Sequence, residues 1–254
     1  MIVYEDPYIL AVNKPGGLFV HSSREARHID DNLLLKLQNE LGHKFFSVHR
    51  LDRATSGLIM LAKSSEVASQ LSSLFRNRSI AKYYLAVVRG WCQQTGWINR
   101  PLSQLDRKQS DKKEALTHFY TLDQVQLDQP EQNLATTRYS LLLLRPVTGR
   151  QHQLRRHLKS IEHPIIGDTR YGKGEQNRYF RQTLGINRLL LHSFAVSFPH
   201  PFHQQMLTIE IAPEPCFHQI FSYAASQHLQ QARNAISATA WQCLPPKEQI
   251  NKSL

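Results

Sequence analysis

The sequence predicts an α+β fold, a large mixed and mostly antiparallel sheet flanked by helices and loops. Three observations lead there. Strand-like segments outnumber helical ones, they do not alternate strictly with helices, and no repeat or low-complexity linker interrupts the chain before its polar end. At 254 residues, 41% of them hydrophobic, the chain can bury a sizeable core and is not of disordered composition.

Val3-Tyr4 and Ile9 to Asn13 read as short strands around an Asp6-Pro7 turn, and Lys14-Pro15-Gly16-Gly17 as a second turn. His21 to His28 is a basic loop. Asp31 is placed to cap a helix with Leu34, Leu37 and Leu41 on its apolar stripe. Leu58 to Ala62 is a compact apolar run, expected as a buried strand. Ser64 caps a helix whose Val67, Leu71, Leu74 and Phe75 share a face. Tyr84 to Val88 is a strand, Gln104 to Glu114 a charged loop, Thr136 to Leu144 a long strand and Arg150 to Ile161 a basic helix. Leu189 to Phe198 and Met206 to Ile211 are strands separated by the Pro199-Pro201 turn. The expected organisation is a catalytic domain over residues 1–225 and a polar C-terminal tail over 226–254, a helix that frays.

Lys and Arg number 31 against 20 Asp and Glu, a net charge of +11. That surplus attracts polyanions, nucleic acid first among them. Three cysteines without a CxxC pair point away from a disulfide framework and towards the cytoplasm. No run is apolar enough to span a membrane, and the N-terminus lacks the pattern of a signal peptide. Thirteen histidines raise the question of metal, but no HExxH occurs, and His152 and His157 do not share a helix face. No metal is expected.

The stretch with the most chemistry is His49-Arg50-Leu51-Asp52-Arg53-Ala54-Thr55-Ser56-Gly57-Leu58. It precedes a buried strand, so it should be a structured loop at a sheet end. Positive charge beside a carboxylate favours its ionised form, and an ionised carboxylate is a nucleophile or a general base. The same residues also suit plain turn chemistry, with Asp accepting backbone N–H groups.

This stretch resembles the signature of the pseudouridine synthases related to ribosomal large-subunit synthase A: His-Arg-Leu-Asp, two variable residues, Thr-Ser-Gly, then an apolar strand. Ala54 stands where those proteins commonly carry Pro. Further blocks follow in the family's order: Asn13-Lys14-Pro15, Lys82-Tyr83-Tyr84-Leu85-Ala86, Thr148 to Arg155, His163 to Asp168, and Leu189 to His192. The likeness runs from about residue 1 to 215.

The resemblance implies the pseudouridine synthase fold and isomerisation of an RNA uridine, without a cofactor. It makes Asp52 the catalytic carboxylate, Tyr84 (not Tyr83) the active-site tyrosine, and Arg155 the arginine that pairs with the carboxylate. Arg50 matches the arginine that enters the gap left by a flipped base, where a planar guanidinium can stack. Arg53, Arg150, Arg156 and Lys82 are expected to contact RNA, and Leu190 or Leu191 to floor the pocket. Arg24, Arg27, Lys108, Lys112, Lys113 and Lys173 are among the cations that would extend the RNA track.

Val88-Arg89-Gly90-Trp91, the double arginine Arg155-Arg156 and Gln176-Asn177-Arg178 resemble the subgroup acting on uridine 65 in the T stem of tRNA. A monomer is expected. The alternatives are ribosomal RNA as substrate, a non-catalytic RNA-binding module, and a hydrolase using Asp52 with a histidine. No nucleophile elbow or metal triad supports the last.

Overall fold

The computed structural model describes residues 1–21, 32–105, 111–127, 137–221 and 224–237. In chain order its strands and helices are β1 (Ile2–Glu5), β2 (Ile9–Lys14), α1 (Leu33–Leu41), β3 (Phe46–Ser47), β4 (Ser56–Ala62), α2 (Ser65–Arg76), β5 (Ala81–Arg89), β6 (Thr95–Asn99), β7 (Leu116–Gln126) and β8 (Arg138–Pro146). Then come α3 (Gln153–Ser160), α4 (Gly174–Leu184), β9 (Leu191–Pro199), β10 (Met206–Glu210), a 3-10 turn at Pro215–Phe217 and α5 (Ala225–Ser237). The chain divides into two compact units: Met1–Tyr83 with His192–Pro213, and Tyr84–Leu191 with Glu214–Leu254.

In the first unit β2 pairs with both β1 and β4, β3 also pairs with β4, and β10 pairs with β9, all antiparallel. The join of β4 to β9 is parallel and short, Ser56 opposite His192 and Gly57 opposite Ser193. Every residue of β4 is buried, as its apolar run requires. Alternate residues Ile9, Ala11, Leu58, Met60 and Ala62 meet Val67 and Leu71 of α2 in one core cluster. Ser64 caps α2 as expected, accepting from the Val67 amide at 3.2 Å. The cap of α1 is Asn32, whose Oδ1 accepts from Leu34 and Leu35; Asp31 lies outside the described residues. Leu33 and Leu37 form the buried stripe of α1, while Leu41 is exposed.

The second unit is built on an antiparallel run in which β8 lies between β5 and β7, and β6 flanks β7. The basic helix starts at Gln153, three residues later than expected, because His152 sits in the left-handed region at φ 53°. The segment assigned to a polar tail begins with α5, which buries His228, Ala232 and Ala235. His228 Nε2 donates to Asp123 of β7 at 2.9 Å, tying α5 to that strand. The rest of the tail lies outside the described residues. The fold class is the expected one: α+β, a mixed and mostly antiparallel arrangement of strands with flanking helices.

Candidate functional site

Asp52 lies half-buried in the loop that enters β4, where its carbonyl accepts the Thr55 amide at 3.0 Å. Four side chains hold this loop. His49 packs on Phe75 and its Nε2 accepts the Met60 amide at 2.9 Å. Burial, with the charge of Lys82 adding to it, drives His49 down to about 3, so it serves as a neutral acceptor at physiological pH. Lys14 is fully buried and donates to the carbonyls of Pro15, Leu18 and Arg53 at 2.8, 2.9 and 3.1 Å. Arg53 returns the contact, its Nε donating to the Gly17 carbonyl at 2.8 Å and its guanidinium lying over Phe19. Ser56 meets His192 Nδ1 at 2.9 Å, and His192 Nε2 lies 3.1 Å from the Ile211 carbonyl. Gly57 follows at φ 104°, and a Cβ there would stand 2.3 Å from the Ser193 carbonyl oxygen. The Thr-Ser-Gly of the motif thus seats the loop against β9.

Arg50 is exposed, and among the described residues its side chain has no partner. Arg53, expected as an RNA contact, has its Nε spent inside the loop. Lys82 keeps a partial opening to solvent, yet protein hems in its ammonium, and burial lowers it to about 8.

In the second unit Tyr84 is buried on β5 opposite Leu144. Arg155 projects from α3 and is 7% exposed. Its Nε and Nη2 donate to the two oxygens of Asp168 at 2.7 and 2.8 Å. Asp168 also accepts the amides of Arg170 and Tyr171, each at 2.9 Å. Burial alone would raise the Asp168 carboxyl; the Arg155 fork and the two amides outweigh it and hold it below the ordinary range. The Tyr171 ring lies 5.2 Å from the Arg155 guanidinium, and its hydroxyl is 3.0 Å from His152 Nδ1. Gly167 makes the turn possible: at φ 78° its Cα faces the Arg188 carbonyl, where a Cβ would clash.

Asp168 and Tyr171 were given no role from sequence. The available signal was that a helix arginine this deeply buried needs a counter-charge, and Asp168 closes one of the ordered blocks. Arg156, expected as a phosphate contact, instead clamps Ser103: its Nη1 donates to the carbonyl at 2.9 Å and its Nη2 to the hydroxyl at 3.3 Å. Arg150 Nε donates to the Glu114 carbonyl at 2.9 Å. Leu190 and Leu191 are buried, and the Leu190 backbone bonds to Val87 and Ile166. Arg24, Arg27 and Lys108 lie outside the described residues.

Asp6, His200 and His203 are the group of described residues close enough to hold a metal ion. Hydrogen bonds account for Asp6 and His200 without one. His200 Nδ1 accepts the amides of Phe202 and His203, which makes Nε2 the donor to Asp6 at 3.0 Å. Tyr4 and the amides of Tyr8 and Ile9 occupy the remaining sites on Asp6, each at 2.7 Å.

The family model described as RNA pseudouridylate synthase matches residues 8–160. A tRNA pseudouridine synthase C from Pasteurella multocida is 45% identical over 216 residues, covering 82% of this chain and 89% of that protein. One from Vibrio vulnificus is 40% identical over 228 residues, covering 87% and 93%. The solved structure of human RNA pseudouridylate synthase domain containing 1 superimposes with a TM-score of 0.68 at 25% identity, covering 91% of this chain and 94% of that one.

Proposed function

This chain belongs to the RNA pseudouridylate synthase family, and from that membership we propose that it isomerises uridine 65 in the T stem of tRNA, with Asp52 as the catalytic carboxylate. Support for tRNA comes from the names of relatives that share 40% or more of their residues with it over most of their length. Support for Asp52 comes from its place in a loop that Lys14, His49, Arg53 and Ser56 brace from different directions. This bracing is the observation that carries the reading, because a carboxylate acting on a nucleoside must be held in position before the substrate arrives.

A uridine in a tRNA stem is stacked and must leave the helix first. Exposed Arg50 is suited to fill the space it vacates. The bond from N1 to the sugar then breaks, the base turns, and C5 bonds to the same sugar carbon. The C5 proton is lost to solvent and N1 gains one. No electrons enter or leave, so no cofactor is required. Holding the detached base in place keeps the second bond formation effectively unimolecular. Tyr84 is assigned to stack on the uracil, and Arg155 to supply positive charge. We propose that the enzyme works in the cytoplasm as a monomer, the expectation drawn from its sequence. No helix of the described residues is long and apolar enough to cross a membrane. Mapping pseudouridine in tRNA and ribosomal RNA incubated with the protein tests the substrate. The expected product is pseudouridine at tRNA position 65; modification confined to ribosomal RNA would overturn the assignment.

A further inference from the structure

A cleft of about 440 Å³ opens in the second unit, lined by Leu102, Ser103, Gln104, Lys113, Gly149, Arg150 and Gln151. That volume lies within the range of about 300–1,000 Å³ common to small-ligand sites. Its walls are braced. Leu102 and Lys113 exchange backbone hydrogen bonds at 2.9 and 3.0 Å, which pins together the two ends of the segment between them. Arg156 fixes Ser103 from the α3 side. Arg150 is held twice, its Nε by the Glu114 carbonyl at 2.9 Å and its amide by Gln153 Oε1 at 3.0 Å. Gln153 in turn bonds to Thr148, Leu116 and Thr117 in the buried interior.

The lining is cationic. Among the described residues that line the cleft none is a carboxylate. Lys113 is exposed, and among the described residues its ammonium has no partner. Arg150 spends its Nε on the wall, and no other side-chain contact of it occurs among the described residues. Gln104 and Gln151 add amide donors and acceptors, and Leu102 adds an apolar surface. Two cations, two amides and one apolar surface in a rigid recess complement a nucleotide: a phosphate, the polar edge of a sugar or base, and a base face.

We infer that this cleft seats one nucleotide of the RNA substrate, with its phosphate on Lys113 and Arg150. The inference rests on the functional reading above and adds to it a binding subsite. Gln104 and Gln151 contact the sugar or base edge, so the cleft contributes to the choice of RNA as well as to its affinity. Arg156 acts here as a positioning residue that keeps Ser103 and Gln104 in the wall.

The test measures binding of an unmodified tRNA transcript to the full chain across salt concentrations, alongside pseudouridine formation. Lys113→Ala carries little risk to folding, since its side chain is exposed. Arg150→Ala and the charge-keeping Arg150→Lys separate phosphate binding from wall bracing. Lys44→Ala removes a cation that packs over Phe46 in the other unit, and serves as the control. Lys113→Ala and Arg150→Ala should each weaken binding about tenfold. Each should reduce the log–log salt slope by about 0.7 to 0.9. Arg150→Lys should keep the slope, and Lys44→Ala should leave affinity and slope nearly as they were. In single-turnover assays, the enzyme concentration for half-maximal rate should rise more than the maximal rate falls. Wild-type affinity and slope in both cleft alanine variants would overturn the subsite while leaving the function standing. Equal losses in Lys44→Ala would overturn it in favour of diffuse attraction. A wild-type protein that neither binds nor modifies tRNA would overturn the functional reading and this inference with it.

Discussion

Removing the Arg155 guanidinium leaves the Asp168 carboxylate, whose side chain is fully enclosed, with two backbone amides and no counter-charge. Breaking a buried pair from one side typically costs about 3–5 kcal/mol, since the remaining charge is uncompensated. Arg155→Ala should therefore lower the urea unfolding midpoint strongly, and Arg155→Lys should restore little of it, because an ammonium cannot match the two-point fork. Replacing both partners with apolar residues, Arg155→Met with Asp168→Leu, should be milder than either single change. The pair stabilises the fold above the ordinary carboxyl range, and that contribution is lost as pH falls through the depressed value of Asp168. An unchanged midpoint in Arg155→Ala would contradict the pair's importance. At this scale the sequence named Asp52, Arg155 and Lys14 through ordered motifs. It could not name the partners, because Asp168 reaches Arg155 through the turn at Gly167, and Lys14 reaches the carbonyl of Arg53 across 39 residues. Such pairings depend on where the chain turns, which residue order does not record.

Gly57 shows how an element boundary carries the site. Its φ of 104° and the Ser193 backbone beside it leave no room for a side chain. Gly57→Ala should force β4 and β9 apart next to the Asp52 loop and destabilise by about 1–3 kcal/mol or more. A wild-type unfolding midpoint, with unchanged amide exchange at Ser193, would rule this out. Apolar runs such as β4 and β9 were legible from their composition. The strand β7 was not: its Thr117, His118 and Thr121 are buried but polar, each engaged in at least one hydrogen bond, so the two-residue alternation is masked. The helix α4 was missed for a similar reason, since one of its three buried residues is Gln176, which accepts from Tyr139 at 2.6 Å. The start of α3 moved because a left-handed His152 cannot be read from a basic, helix-compatible stretch.

Among the described residues, burial holds His49 at about 3, and His118, His157 and His218 at about 4, well below the ordinary value of about 6.5. Above that ordinary value both folded and unfolded chains leave them neutral, and they have no effect on stability. As pH falls from about 6.5 towards 4, the unfolded chain takes up protons that the folded chain refuses. Stability must then drop, by up to about 1.4 kcal/mol per pH unit for each histidine. Urea midpoints at pH 7, 6 and 5 should decrease in that order; a flat or rising series would contradict the buried, neutral state of these rings. The +11 charge was legible in composition and matches a polyanionic substrate, but where the charge is usable was not, because Arg53 and Arg156 donate to backbone carbonyls of the protein while the side chains of Arg50 and Lys113 have no partner among the described residues. The central claim is that Asp52 performs uridine isomerisation. Its most direct test is tritium release from tRNA labelled at uridine C5, with wild type and Asp52→Asn compared at matched RNA binding. Release by the wild type and none by the variant is the predicted result, and release by Asp52→Asn at the wild-type rate would contradict it.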